Sequence, residues 1–144
     1  MNLVFKETDI FTKLITQLLS DDEYKELQEH LIERPDAGVV IEGTAGLRKV
    51  RWAAKGGGKS GGVRIIYYWI TEDCQIYMLL AYPKSKQDNL TATQKKVLKA
   101  LVLARILHTA THELAYFLIL QTFLSQSAGH TSTALNLKKA FKNN

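Results

Sequence analysis

The chain has 144 residues, 46% of them hydrophobic and 23% charged, with a formal net charge of +5. That length supports one domain with a substantial core, and that balance excludes a disordered polyelectrolyte. A single cysteine, Cys74, excludes an internal disulfide and fits a reducing cytoplasm.

Taken in order, Leu3-Val4-Phe5 reads as a short strand, and no apolar run of signal-peptide length accompanies it. Thr8 or Asp9 can cap a first helix, which carries Ile10, Phe11, Leu14, Ile15 and Leu18 at helical spacing. Ser20 followed three residues later by Glu23 is a capping-box pattern and starts a second helix. Tyr24, Leu27, His30 and Leu31 form its apolar stripe, and Pro35 and Gly38 end it.

The period then changes to two. Leu47–Ala54 is a strand with Leu47, Lys49, Arg51 and Ala53 on one face and Arg48, Val50 and Trp52 on the other. Val63–Ile70 and Gln75–Tyr82 complete a three-stranded meander, with residues 55–62 as a hairpin loop and Glu72-Asp73 as a turn. Helical periodicity returns from Thr91 to about Leu107 and is expected to continue to Leu124. A last short basic helix is expected at Leu135–Phe141. The longest apolar run, Leu114–Leu124, is interrupted by Gln121 and Thr122 and falls short of the roughly 20 residues a membrane span needs.

Charge is unevenly divided. Residues 1–42 hold ten acidic and four basic side chains, a net −6, whereas residues 43–144 hold four acidic and fifteen basic ones, a net +11. Gly43 to Thr71 contains six cations (Arg48, Lys49, Arg51, Lys55, Lys59 and Arg64) and no acid. Strands hold such side chains in fixed register, so they either converge on a polyanion, for which nucleic acid is the simplest choice, or form a solvated basic face.

Three other patterns are best read as ordinary. Ala53 to Ser60 loosely matches a phosphate-binding loop, but a strand follows instead of the helix whose N-terminus that chemistry needs. His108 and His112 have zinc-ligand spacing, yet Glu113 lies outside the pair and no third ligand is evident. Tyr67, Tyr68, Trp69, Tyr77 and Tyr82 have the spacing of strand-packing aromatics.

The stretch Gly43-Thr-Ala-Gly-Leu-Arg-Lys-Val-Arg-Trp through Gly62-Val-Arg-Ile-Ile-Tyr-Tyr-Trp resembles the HigB branch of the RelE/ParE toxin superfamily. Ile76–Lys86 and Leu90–Lys95 extend the likeness, as does the order strand, two helices, meander, helix. The resemblance covers residues 1–104, and 105–144 stand apart as an atypical helical extension. It implies an α+β fold, with an N-terminal strand and two helices packed on a twisted antiparallel meander. It further implies the toxin of a type II toxin–antitoxin system that cleaves mRNA on the ribosome, where it also contacts 16S rRNA. The chemistry would be metal-independent and need no cofactor, and the partner would be a HigA-like helix-turn-helix antitoxin.

Carried onto this chain, the likeness makes Lys49, Arg51, Arg64, Tyr82 and Lys84 the catalytic candidates. Arg64 would take the scissile phosphate. Lys49 or Arg51 would serve the 2′-hydroxyl or the backbone, and Lys84 the transition state or the leaving oxygen. Tyr82 would stack on a base or assist proton transfer. Arg48, Lys55, Lys59 and Lys86 would grip flanking RNA. The rival expectations are a non-catalytic RNA- or ribosome-binding module and an inactive homologue.

Overall fold

The computed structural model describes residues 2–54 and 62–106. Contacts divide the chain after Leu90 into Met1–Leu90 and Thr91–Asn144. The first unit holds β1 (Val4–Glu7), α1 (Asp9–Leu18), α2 (Asp21–Glu33), β2 (Val39–Val40), β3 (Arg48–Ala53), β4 (Gly62–Ile70) and β5 (Gln75–Pro83). The second holds α3 (Ala92–Ile106), so the architecture is α+β. The helices expected at residues 107–124 and 135–141, the extension 105–144 beyond Ile106, and His108 and His112 lie outside the described residues. So does the loop 55–61. No helix among the described residues is long and apolar enough to cross a membrane.

The five strands form one sheet in the order β1-β5-β4-β3-β2. The expected meander is its centre, antiparallel throughout. Two edges were not foreseen: β1 runs parallel to β5, and β2 pairs with β3 through Val39↔Lys49 and Val40↔Arg48. Both edges are short, which limits the backbone left for stray pairing.

Helices α1 and α2 cover one sheet face. Phe11, Ile15 and Leu19 join Leu27 and Leu31 against Val50, Val63, Ile65, Tyr67, Ile76, Met78 and Ala81 in one core. Ser20 caps α2 through the full capping box: its hydroxyl accepts from Glu23 N, and the Glu23 carboxylate accepts from Ser20 N. Tyr24 donates to Glu7, and burial, reinforced by that bond, pushes its phenol well above the ordinary value.

Alternation breaks once in the sheet. Ile66 pairs with Leu80 and Tyr67 with Met78, so Leu79 is an extra residue in β5. This bulge reverses the side-chain phase of β5. Ile76 and Met78 face the helices before it and Ala81 after it, while Leu80 and Tyr82 turn to the opposite face. Thr8 fixes the bulge. Its N–H donates to Met78 O at 3.0 Å and its hydroxyl to Leu79 O at 2.8 Å, while the same hydroxyl accepts from Phe11 N as the N-cap of α1.

A second tie closes the loop after α2. The Tyr67 hydroxyl, on a fully buried side chain, donates to Pro35 O and accepts from Gly38 N, each at 2.8 Å. A Cβ on residue 38 would stand 2.8 Å from the Tyr67 ring, so only glycine allows this approach.

Two stability changes are expected in urea denaturation. Thr8→Val keeps the shape but loses both the cap and the bulge bond, and should cost about 1–3 kcal/mol. Tyr67→Phe leaves the Gly38 N–H and Pro35 carbonyl without the hydroxyl and should cost a similar amount, about 1–3 kcal/mol.

Candidate functional site

The face of the sheet opposite α1 and α2 gathers the cations. On β3, Val50 and Trp52 face the helical core, so Lys49 and Arg51 point the other way. Cross-strand partners share a face, and the register sets Arg51 opposite Arg64, Lys49 opposite Ile66, and Arg64 opposite Tyr82. The five-residue catalytic set inferred from sequence is therefore brought together in four members: Lys49, Arg51, Arg64 and Tyr82.

Two arginines directly opposite each other repel, and Arg64 is only 5% exposed. A buried guanidinium needs an acceptor of opposite charge. Asp88, in the segment after β5, supplies it: Asp88 Oδ1 accepts from Arg64 Nη2 at 2.7 Å and from Arg64 Nε at 3.0 Å. Hydrogen bonding from Arg64 holds the Asp88 carboxyl below the usual carboxylate range. Desolvation opposes this, and the charges of Arg64, Arg51 and Lys49 add to it. Lys49 is held by the same segment, donating to Asn89 Oδ1 at 2.7 Å and to Asp88 O at 3.3 Å. A Cβ on Gly62 would come within 3.3 Å of Arg64 Nη1, so glycine there leaves the guanidinium its place.

Tyr82 sits beside Arg64 with no exposed surface. In this conformation neither its ring nor its hydroxyl is exposed to solvent. Burial raises its phenol above the ordinary value; a hydrogen bond with Gln87 and the charge of Arg64 pull it down, and Asp88 pushes it up. The phenol is therefore neutral near pH 7 and keeps a proton to donate.

Of the remaining candidates only Lys84 adjoins this cluster, through the backbone bond that continues its ladder, and the others are dispersed or lie outside the described residues. Arg48 lies on the other face, where its guanidinium donates to Gly38 O at 2.8 Å and Asp36 O at 3.1 Å and ties down the loop after α2. That position separates it from the flanking-RNA role. Lys84 and Lys86 are exposed on the segment that carries Asp88; Lys84 N extends the ladder to Gly62 O at 2.8 Å. Lys55 and Lys59 lie outside the described residues, as does the loose phosphate-loop match. Among the described residues, no group of three or more His, Cys, Asp or Glu is placed to hold a metal ion.

Asp88 and Asn89 were not singled out from sequence. A signal was available: Asp88 is one of only four acids in residues 43–144, and it follows directly on Lys84 and Lys86.

Against known structures, the chain is similar to an arginine-to-alanine double mutant of the E. coli toxin RelE in the free state. That match has a TM-score of 0.43 and 17% identity, over 58% of this chain and 84% of the other. The family model described as the RelE toxin of the RelE/RelB toxin–antitoxin system matches residues 4–125. That match spans most of the 144 residues, and the chain belongs to the RelE toxin family of toxin–antitoxin systems.

Proposed function

We propose that this toxin is an endoribonuclease of the HigB type that cleaves mRNA on the ribosome and is neutralised by a HigA-like helix-turn-helix antitoxin. Its fixed cations would bear the chemistry without a metal. The observation that carries this reading is the convergence of Lys49, Arg51 and Arg64 on one sheet face, where Arg64 grips the Asp88 carboxylate and the charges of Arg51 and Lys49 help hold it ionised. A cluster that holds one anion so closely suits the phosphodiester of RNA.

In the proposed reaction the ribose 2′-oxygen attacks the adjacent phosphorus, and the bond from phosphorus to the 5′-oxygen breaks. The 2′-proton passes to water and the 5′-oxygen gains one, leaving a 2′,3′-cyclic phosphate and a 5′-hydroxyl. Arg64 takes the non-bridging oxygens, where negative charge grows. Lys49 or Arg51 stands at the 2′-oxygen, where a nearby cation favours the ionised nucleophile. Lys84 serves the leaving oxygen. The neutral phenol of Tyr82, next to Arg64, is a proton donor to that oxygen or to the phosphate. Charge-stabilising contacts of this kind contribute several kcal/mol each in a site shielded from water.

Induction in cells, followed by primer extension on translated messages, tests the proposal. Wild type should create new 5′ ends within coding sequence. Arg64→Ala should reduce cleavage by about 10²–10³-fold, with fold retention checked by circular dichroism. Intact messages on expression of a folded wild type, with salt-dependent RNA binding preserved, would favour the binding-module reading.

A further inference from the structure

The residues that satisfy Arg64 and Lys49 come from one short segment, Lys84–Leu90, which begins where β5 ends and stops before Thr91. Three of its oxygens face the two cations: Asp88 Oδ1 on Arg64 Nε and Nη2, and Asp88 O and Asn89 Oδ1 on Lys49 Nζ. A phosphodiester offers acceptors of the same kind, including a full negative charge. The burial is lopsided: the Arg64 side chain is 6% exposed and that of Asp88 50%. The carboxylate is thus the solvent-exposed member of the pair.

We propose that Asp88 and Asn89 form a built-in plug, which holds the place of the RNA phosphate in the unbound toxin and is displaced when RNA binds. The inference rests on the reading of this face as the RNA-cleaving site. While the plug is seated, both the Nε and Nη2 donors of Arg64 are taken by one carboxylate oxygen, so phosphate cannot grip the guanidinium by that edge. Expelling the plug moves a half-exposed carboxylate into water, where solvation compensates it, and the buried guanidinium passes directly from one anion to another. Lys84 and Lys86 are exposed on the same segment, so RNA is attracted by the very stretch that must give way. The unbound protein meanwhile keeps a counter-charge beside its opposed arginines.

The sign of one substitution distinguishes a plug from a brace. Binding of an RNA with methylated 2′-hydroxyls, which cannot be cleaved, is followed by fluorescence anisotropy on the full chain at fixed salt. Asp88→Asn should bind about tenfold tighter than wild type, the difference made by one charge-assisted hydrogen bond. Glu72→Gln, which removes one negative charge in the β4–β5 turn, should gain less than about twofold. In an Arg64→Ala background the gain from Asp88→Asn should shrink to that of Glu72→Gln. Asn89→Ala, an exposed position that releases one acceptor from Lys49, should gain about two- to threefold; it serves if Asp88→Asn does not fold.

Binding by Asp88→Asn and Asn89→Ala that is no tighter than wild type would overturn the plug, as would a gain that survives the loss of Arg64. The two readings fail separately. If wild type cuts messages but Asp88→Asn binds no tighter, the plug falls and the nuclease stands. If the Arg64-dependent gain is seen but messages stay whole, the nuclease falls and the plug stands as a feature of an RNA-binding face.

Discussion

One extra residue in β5 decides what stands next to Arg64. With unbroken alternation, Tyr82 would share the face of Ile76 and Met78 and would be buried under α1 and α2. The bulge at Leu79 inverts the phase, so Ala81 fills the helical face and Tyr82 meets Arg64 across the ladder. An inserted residue left to itself would be free to migrate along so apolar a strand. Thr8 prevents that by bonding both carbonyls at the bulge while it caps α1. The parallel pairing of β1 with β5 brings Thr8 there. The start of the chain therefore sets the geometry of the site near the end of the first unit.

The second constraint is electrostatic. The sheet register places two arginines directly opposite each other, and it buries one of them. Neither condition is tolerable without an anion. In the unbound protein Asp88 is that anion, and the donors around it hold its carboxyl below the usual carboxylate range and so keep it ionised. Under the proposed function, a site that needs a counter-charge when empty and must accept phosphate when working would meet both demands with an exchangeable carboxylate. The same logic explains why Tyr82 remains a neutral phenol: enclosure raises it, and the nearby positive charge only partly offsets this.

Much of this is legible in the sequence. The two-residue period of β3 assigned Lys49 and Arg51 to one face and Val50 and Trp52 to the other, because that strand mixes polar and apolar residues. Capping chemistry marked Thr8 and Ser20. The bulge was not legible: Ile76 to Tyr82 is apolar at nearly every position, so alternation carries no phase to be seen reversing. The β2 edge is two valines without a pattern, and β1 pairs with a partner some seventy residues away. Arg48 falls on the face of Val50 and Trp52 by the same alternation, and its side chain stitches that face to the loop after α2. Asp88 is not marked in the sequence because the cations form an acid-free run, and the carboxylate that pairs with Arg64 lies 24 residues beyond it. Charge complementarity across the fold is a three-dimensional property that one-dimensional charge counting does not capture.

The most direct test of the central claim is a structure of this toxin on a ribosome whose A-site codon carries 2′-O-methyl groups. The account predicts a phosphate whose non-bridging oxygens lie within hydrogen-bond distance of Arg64 and Lys49, beside Tyr82, with the Asp88 carboxylate moved away from the guanidinium. A codon phosphate bound elsewhere on the protein, with Asp88 still seated on Arg64, would contradict it.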